Sequence, residues 1–274
     1  MAEIEVIGSQ SRFTPTFVIK DMFDGLGRVQ LWSAFAWDEI QQRYRRSRLG
    51  IAWIVLSYLL FVGAIAFFFG GFSAKEGVSF TAYVAVNYSI FLFLLAALTE
   101  GCDVFRVSTN WIKSAPLPHS IYVYKSLARS LFVFFINLIA AFCILAWYGL
   151  LPGAKALLSI PAFLVLLVNA VWVQIVFGYV AARYRDLTHL VQSLSRILFF
   201  ITPIIWVRDE RSGLIGRVAD VNPFTHALEI FSAPILGSYP RQESWIIIGL
   251  ITIAGYLLAI LVGGLSYRRL AYWL

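Results

Sequence analysis

The residues of this chain that could do metal or redox chemistry are few and widely spaced. Three histidines, His119, His189 and His226, fall on different predicted edges of the molecule, so a shared metal site would need a fold that brings opposite faces together. The two cysteines, Cys102 and Cys143, lack metal-ligand or redox spacing and are expected to pack as small side chains. We therefore predict no metal site.

The sequence also lacks the short motifs of phosphate and ester chemistry. It has no Gly-rich loop ending in Gly-Lys-Ser or Gly-Lys-Thr, no His-Glu-x-x-His and no Gly-x-Ser-x-Gly. We expect that this chain is not an enzyme and does not hydrolyse ATP alone. The alternative is that the chain is an enzyme, namely a membrane-embedded polyprenyl-phosphate glycosyl or acyl transferase. Such an enzyme would have to use the acids at one predicted membrane face, Glu100, Asp103 and Asp186.

The composition indicates that a lipid bilayer surrounds most of the chain. Of the 274 residues, 60% are hydrophobic and only 14% are charged, and apolar stretches of spanning length recur. The predicted fold class is all-α, a polytopic membrane protein with six transmembrane helices. The predicted spans are Leu49 to Gly70, Phe80 to Glu100, Ile121 to Tyr148, Ile160 to Ala182, Leu190 to Val207 and Trp245 to Gly264.

A basic amphipathic segment leads into the first span. Helical spacing puts Ala36, Trp37 and Ile40 on one face and Asp38 and Glu39 on the other, which predicts a helix lying in the headgroup plane. The predicted division of the chain is a cytoplasmic N-terminal tail at 1–30, an amphipathic interfacial helix at 31–48 and a six-span transmembrane domain at 49–274.

The distribution of basic residues predicts the topology. Arg43, Arg45, Arg46 and Arg48 immediately precede the first span, so this end of the span should face the cytoplasm. With six spans, 15 Lys and Arg residues fall on the cytoplasmic side and six on the outside. We therefore expect both termini to be cytoplasmic, and we interpret the net charge of +7 as a set of topology signals rather than a nucleic-acid surface.

Two features stand out near the predicted outer face. Proline removes a backbone donor, so Thr202-Pro203 should break the fifth span near its outer end and shape an external gate. The longer external segment at 208–244 contains apolar runs that predict short re-entrant helices between spans five and six.

Four motifs in order resemble the permeases of ABC-2 type polysaccharide export. RYRRSRLGIAW at 43–53 resembles the entry to their first span, and NWIKSAPLP at 110–118 their cytoplasmic link between spans two and three. YRDLTHLVQSLSRILFFITPIIW at 184–206 is similar to their R-D run, span and T-P-I-I-W, and NPFTHALEIF at 222–231 to their external N-P segment. The chain departs from the family at Leu56-Ser57-Tyr58, where many relatives carry a proline, and in the proline-rich link at 110–118, which could be a turn.

The resemblance implies a homodimeric permease paired with two copies of a separate subunit that binds ATP and Mg²⁺. It would export an undecaprenyl-linked polysaccharide, such as O antigen, capsule or teichoic acid, across the bacterial inner membrane. An ABC-2 exporter of a small hydrophobic drug or lipid is the alternative within transport. The candidate ATPase-subunit contacts are Arg43, Tyr44, Arg45, Arg46, Trp111, Lys113, Arg185 and Asp186. The candidate external gate residues are Thr202, Pro203, Asn222 and Pro223.

Aromatic residues are the natural lining for such a path, because pyranose faces rich in C–H groups stack on rings. The candidate path residues are Tyr58, Phe61, Tyr83, Tyr88, Trp172, Phe199 and Trp206. Trp and Tyr also concentrate at the interfaces of any membrane protein, so simple packing is the alternative for each of them.

Overall fold

The computed structural model describes residues 15–45, 47–69, 79–208 and 213–274, and within them the secondary structure is helical with no strand. The first six α-helices are α1 Pro15–Gly27, α2 Val29–Tyr44, α3 Ala52–Phe69, α4 Phe80–Val107, α5 Thr109–Ser114 and α6 Ser120–Trp147. The other six are α7 Ser159–Arg183, α8 Asp186–Ile201, α9 Leu214–Val221, α10 Pro223–Ile235, α11 Gln242–Ser266 and α12 Leu270–Trp273. Short 3-10 turns at Ala154–Leu158 and Tyr267–Arg269 precede α7 and α12.

The chain is a multi-pass helical membrane protein, as predicted. Five helical stretches in the described residues are long and apolar enough to cross a bilayer. They are Ala52–Phe69, Phe80–Val107, Ser120–Trp147, Ala154–Arg183 and Gln242–Trp273.

The predicted fifth span differs in its ends from the helix observed there. Helix α8 has 16 residues and ends at Ile201, so it is about 24 Å long against a hydrocarbon core of about 30 Å. It ends there because a residue before proline is restricted to extended backbone, and Thr202 has a ψ of 136°. The predicted break at Thr202-Pro203 is confirmed, while the count of six spans and the re-entrant helices stay predictions.

Helix α4 is the centre of the bundle. It packs against α6 and α7 most extensively and also contacts α3, α8 and α10. Glycines let α4 and α7 approach closely: a Cβ added to Gly178 would lie 2.7 Å from Val104 Cγ1, and one added to Gly101 would lie 3.0 Å from Gln174 Cα. Such close approach at small residues is one way in which membrane helices gain packing energy.

The two N-terminal helices dock on the bundle. Within the predicted tail, α1 packs against α6 and α11. Helix α2 packs on α6 and begins and ends slightly earlier than predicted. The predicted inward face is confirmed at Ala36 and Ile40, which are buried, whereas Trp37 is half exposed and touches Phe132 edge-on.

The bundle has two distinct ends. Helices α1, α2, α5 and α12 lie at the end that carries the C-terminal residue Leu274, called the terminal end below. Helices α9 and α10 and the turn before α7 lie at the far end. Helix α10 is mostly buried, because it packs between α4, α7 and α11.

Candidate functional site

Four of the seven predicted path aromatics form one cluster between α3, α4 and α8. Phe61 stacks on Tyr88 with ring centroids 4.1 Å apart, and Tyr58 stacks on the same ring at 5.8 Å. Phe199 meets Phe61 edge-on at 5.5 Å. The Tyr58 hydroxyl donates to the Ala85 carbonyl over 2.6 Å, which fixes the ring against α4. We call Tyr58, Phe61, Tyr88 and Phe199 the aromatic cluster.

The cluster continues to α10 through two residues that the sequence reasoning missed. Phe91 meets Phe199 at 5.8 Å and Phe224 at 5.9 Å, so the rings connect α8 to α10. Phe91 lies three residues after Tyr88, a helical spacing that could have flagged it. Nothing in the sequence relates Phe224 to α4, because that contact joins distant parts of the chain.

The other three predicted path residues lie elsewhere. The Tyr83 hydroxyl donates to the Pro203 carbonyl over 2.9 Å and lies 3.3 Å from the Trp206 carbonyl, so it holds the segment after α8 against α4. Trp172 lies between α7 and α11, with its ring against Gly255 and its Nε1–H donating to Asn169 Oδ1 over 2.8 Å. Trp172 is therefore not joined to the aromatic cluster.

The four predicted gate residues come together at the far end. Asn222 Oδ1 accepts the Phe224 N–H over 3.0 Å and so caps α10, whose first residue is Pro223. The Asn222 Nδ2–H donates to Thr202 Oγ1 over 2.9 Å. Thr202, Pro203, Asn222 and Pro223 thus join the end of α8 to the start of α10, and motion at this joint stays a prediction.

An ion-pair network stabilises the same far end. The Arg208 guanidinium, 12% exposed, pairs with Asp220 and with Glu229, the latter over 2.6 Å. Arg241 pairs with Glu229 over 3.5 Å. His226 joins Ser244 Oγ over 2.9 Å, and its other ring nitrogen lies 2.8 Å from the Asp220 carbonyl. A cavity of about 230 Å³ lies beside this network.

A second network joins three helices toward the terminal end. The Arg129 guanidinium of α6 pairs with Glu39 of α2 and, over 2.9 Å, with Glu100 of α4. Lys125 pairs with Glu39 over 3.2 Å, and Ser130 Oγ donates to Glu100 over 2.8 Å. Ion pairs therefore connect helix α2 to the spans α4 and α6, a link that the sequence reasoning did not predict.

Two adjoining cavities flank this second network. One, of about 370 Å³, lies between α3, α4 and α6 and reaches Tyr58 and Tyr88 of the aromatic cluster. The other, of about 440 Å³, lies between α2, α4, α6 and α8 at the terminal end. Both are lined by Arg43, Glu100 and Arg129. Together they form a cleft of mixed polar and apolar lining that leads from the terminal end to the aromatic cluster.

The predicted ATPase contacts that the structure describes lie at the terminal end. Arg43, Arg45, Trp111, Lys113, Arg185 and Asp186 are exposed, and Tyr44 is half-buried. Arg46 lies outside the described residues. The link predicted as a possible turn begins as the short helix α5, whose Trp111 ring packs on Phe35 at 5.0 Å. Contact of these residues with another subunit stays a prediction.

Asp21 holds the docked helix α1 in place, and the sequence reasoning missed it. Its carboxylate accepts the backbone N–H groups of His119 and Ser120 over 2.8 and 2.9 Å, and so caps α6. Tyr267, after α11, donates its hydroxyl to the same carboxylate over 2.8 Å. His119 Nδ1 lies 2.9 Å from the Tyr179 hydroxyl, and burial lowers the pKa of this histidine to about 4.

Two of the three acids named for the transferase alternative, Glu100 and Asp103, are paired with arginines. In the described ranges, no group of three His, Cys, Asp or Glu side chains could hold a metal ion. Glu100 and Asp103 line one cavity, but Glu100 pairs with Arg129, and Asp103 pairs with Arg106 over 2.8 Å.

These features define a helical membrane protein with two N-terminal helices docked on its bundle and a cleft of mixed lining between its spans. The sequence profile of the ABC-2 type transporter family matches residues 30–236, so the chain belongs to this family of transporter membrane subunits. Membership implies an ATP-binding partner subunit.

Two relatives come from Klebsiella pneumoniae, and both are named O-antigen export system permease protein RfbA. The chain is 21% identical to one over 235 residues, which is 85% of this chain and 89% of the relative. It is 22% identical to the other over 186 residues, which is 68% of this chain and 72% of the relative.

Proposed function

We propose that this chain is the permease subunit of an ATP-driven exporter that moves lipid-linked polysaccharide across the bacterial inner membrane. The substrate would be of the O-antigen, capsule or teichoic-acid type on an undecaprenyl carrier. ATP and Mg²⁺ would be bound by a separate subunit, present in two copies beside a homodimer of this chain. The observation that carries the proposal is the aromatic cluster at the end of a cleft that also holds charged and amide side chains, in a family whose relatives include O-antigen permeases.

The chemistry of the cleft supports a sugar polymer over a small hydrophobic molecule. Ring faces pack on the C–H faces of pyranoses, while charged and amide side chains exchange hydrogen bonds with hydroxyl groups and water. The cleft offers both kinds of surface, with Tyr58 and Tyr88 near one end and Glu100 and Arg129 along its wall. An exporter of an apolar drug or lipid would be served better by an apolar lining.

The exposed face of α8 supports the homodimer. Leu190, Leu194 and Ile197 share one face of α8 and form an exposed apolar stripe. A second copy of α8 packed against this stripe would cover it.

Cysteine crosslinking tests this dimer. In a Cys143→Ser background, which removes the exposed native thiol, Leu194→Cys should form a disulfide-linked dimer in membranes. Leu164→Cys, at a similarly exposed leucine on α7, serves as the control and should not. Equal crosslinking at both positions, or none at Leu194→Cys, would count against an interface on α8.

Helices α2 and α5 carry exposed basic and aromatic residues, which support contact with the ATP-binding subunit at the terminal end. That end of the bundle would then face the cytoplasm. Purification of the chain from its native membrane should recover a stoichiometric ATP-binding subunit. Trp111→Ala should weaken that association, because Trp111 is 52% exposed on α5. Trp147→Ala removes an 87% exposed tryptophan at the far end and should leave the association with the ATP-binding subunit intact. Recovery of the folded chain alone would contradict the proposal.

Cells that lack this chain distinguish a role in glycan transport from a role in glycan synthesis. If the chain is a permease, cells that lack it should still make the glycan and should retain it inside. If it is a transferase, the glycan should disappear, and replacement of Glu100, Asp103 and Asp186 together should have the same effect. Tyr88→Leu should lower export without lowering the amount of glycan made, because it removes the ring shared by two stacks of the aromatic cluster.

A further inference from the structure

We propose that the cavity between α3, α4 and α6 is a sugar-binding subsite, in which Asn137 and Arg129 bind hydroxyl groups. The proposal deepens the proposed function and rests on it for the origin of the sugar. The cavity of about 370 Å³ has the size of a small-molecule site, which typically measures about 300–1,000 Å³. It opens toward the terminal end and is bounded by the aromatic cluster at its inner end.

Two buried polar atoms in the wall have no partner of their own. Asn137 is 2% exposed, and its Oδ1 accepts no hydrogen bond from the described residues. The Nε–H of Arg129 likewise finds no acceptor there, although the other nitrogens of the guanidinium pair with Glu39 and Glu100. Native proteins rarely bury such atoms unsatisfied, and each exception calls for an explanation. One hydroxyl group of a ligand can donate to Asn137 and another can accept from Arg129, so a molecule with several hydroxyl groups suits both atoms.

The charges around the cavity favour a neutral ligand over a phosphate. Arg129 faces two carboxylates, which balance its charge, and the Glu100 carboxylate itself lines the cavity and would repel an anion. A phosphate would therefore depend on Arg43 at the rim. Aromatic side chains complete the wall, with Trp53 on α3 and Tyr88 on α4. Donors, acceptors and ring faces in one cavity are the surface that a hydroxyl-rich ring recognises.

Binding of simple glycosides can be measured on the full chain in lipid nanodiscs, without the ATP-binding subunit. The probes are methyl β-D-glucoside, methyl α-D-mannoside and the methyl glycoside of N-acetylglucosamine, with methyl phosphate as the anionic comparison. Saturation-transfer difference NMR suits the weak affinity expected of single sugars. We expect saturable transfer to at least one glycoside and a weaker response to methyl phosphate.

Two variants of the cavity and one control test the assignment. Asn137→Leu removes the unpaired amide and should raise the Kd of the glycoside at least fivefold. Ala96→Leu keeps every polar group but fills the cavity, and should abolish saturable transfer. Asn169→Leu removes another buried amide, one hydrogen-bonded to Thr252 on α11, and should leave the Kd unchanged.

The outcomes are distinct. The subsite is overturned if no glycoside binds, if binding survives both cavity variants, or if methyl phosphate binds more tightly and Arg43→Gln abolishes that binding. Glycoside binding by a chain that exports no polysaccharide would instead overturn the proposed function and keep the subsite. Export that proceeds with no measurable glycoside binding would keep the function and remove the subsite.

Discussion

Asn222 and Thr202 are joined by a hydrogen bond of 2.9 Å that crosses from the start of α10 to the segment that follows α8. The Oδ1 atom of the same Asn222 side chain caps the start of α10 by accepting the Phe224 N–H. One amide therefore fixes both the beginning of a helix and its attachment to the preceding segment. The joint lies beside Pro203, which ends α8 and prevents the helix from continuing outward.

Variants of Asn222 should separate these two roles. Thr202→Val loses only the link and should lower the free energy of unfolding by about 1 kcal/mol. Asn222→Ser keeps a capping oxygen but is too short for the link, and should cost about as much. Asn222→Ala loses both and should cost about 2 kcal/mol, measured by chemical denaturation in mixed micelles. Both Thr202→Val and Asn222→Ser remove the same hydrogen bond, so the double variant should lose less stability than the sum of the two single losses. Fully additive losses would show that this hydrogen bond does not contribute to stability.

Removal of Arg129 should be far more damaging than removal of an exposed arginine. Arg129→Met leaves the Glu39 and Glu100 carboxylates without their shared cation and should destabilise the protein by about 3–5 kcal/mol. The control is Arg106→Met, because the Arg106 side chain is 62% exposed and its pair with Asp103 should contribute less than about 1 kcal/mol. Thermal unfolding in nanodiscs compares the two variants. Equal midpoints would mean that water penetrates the Arg129 network.

The contact between α7 and α11 depends on a glycine. A Cβ at Gly255 would lie 2.2 Å from the Trp172 ring, so Gly255→Ala must displace the indole and should cost about 1–3 kcal/mol. Gly249→Ala, on the same helix with open space at its Cβ, should be neutral or slightly stabilising. The midpoints of thermal unfolding check both. Truncation of the ring in Gly255→Ala/Trp172→Leu should recover part of the loss, and failure to do so would place the cost outside this contact.

His119 should make the folded protein sensitive to acid. Burial holds the pKa of His119 at about 4, below the value of about 6.5 expected in the unfolded chain. The unfolded state therefore binds the proton first, so stability is complete above about pH 6.5 and falls as the pH drops toward about 4. The loss should approach about 3 kcal/mol.

The comparison for this pH effect is His119→Phe, which keeps a ring against Tyr267 and removes the titrating group. Unfolding measured between pH 7.5 and pH 4 should show the difference in stability between the native chain and this variant shrinking as the pH falls. A constant difference over that range would show that His119 is not the group responsible.

Local rules account for the parts of the structure that the sequence predicted well. The inward face of α2 follows from the spacing of Ala36 and Ile40, because residues three or four apart share one side of a helix. The end of α8 follows from Pro203 alone, because proline restricts the residue before it. Neither prediction needed a distant part of the chain.

The residues that the sequence misplaced or missed depend on distant contacts. Trp172, like Tyr88, is an aromatic residue within a predicted span. Packing against Gly255 nevertheless places its ring between α7 and α11. Asp21 lies in a segment predicted as a tail, and its partners lie about a hundred residues and more away in the chain. Residue type alone does not specify which of several similar helices becomes a neighbour.

The sequence by itself determined that this chain is a helical membrane protein, where most of its spans lie and where proline interrupts a helix. These properties depend on the hydropathy and backbone restrictions of short segments, and a bilayer enforces them because unpaired backbone groups are too costly in lipid. Only the tertiary structure decided which aromatic rings meet, which carboxylates Arg129 bridges and which buried amide is left without a partner. Those relationships arise from side-chain packing between helices, which depends on how the whole bundle assembles.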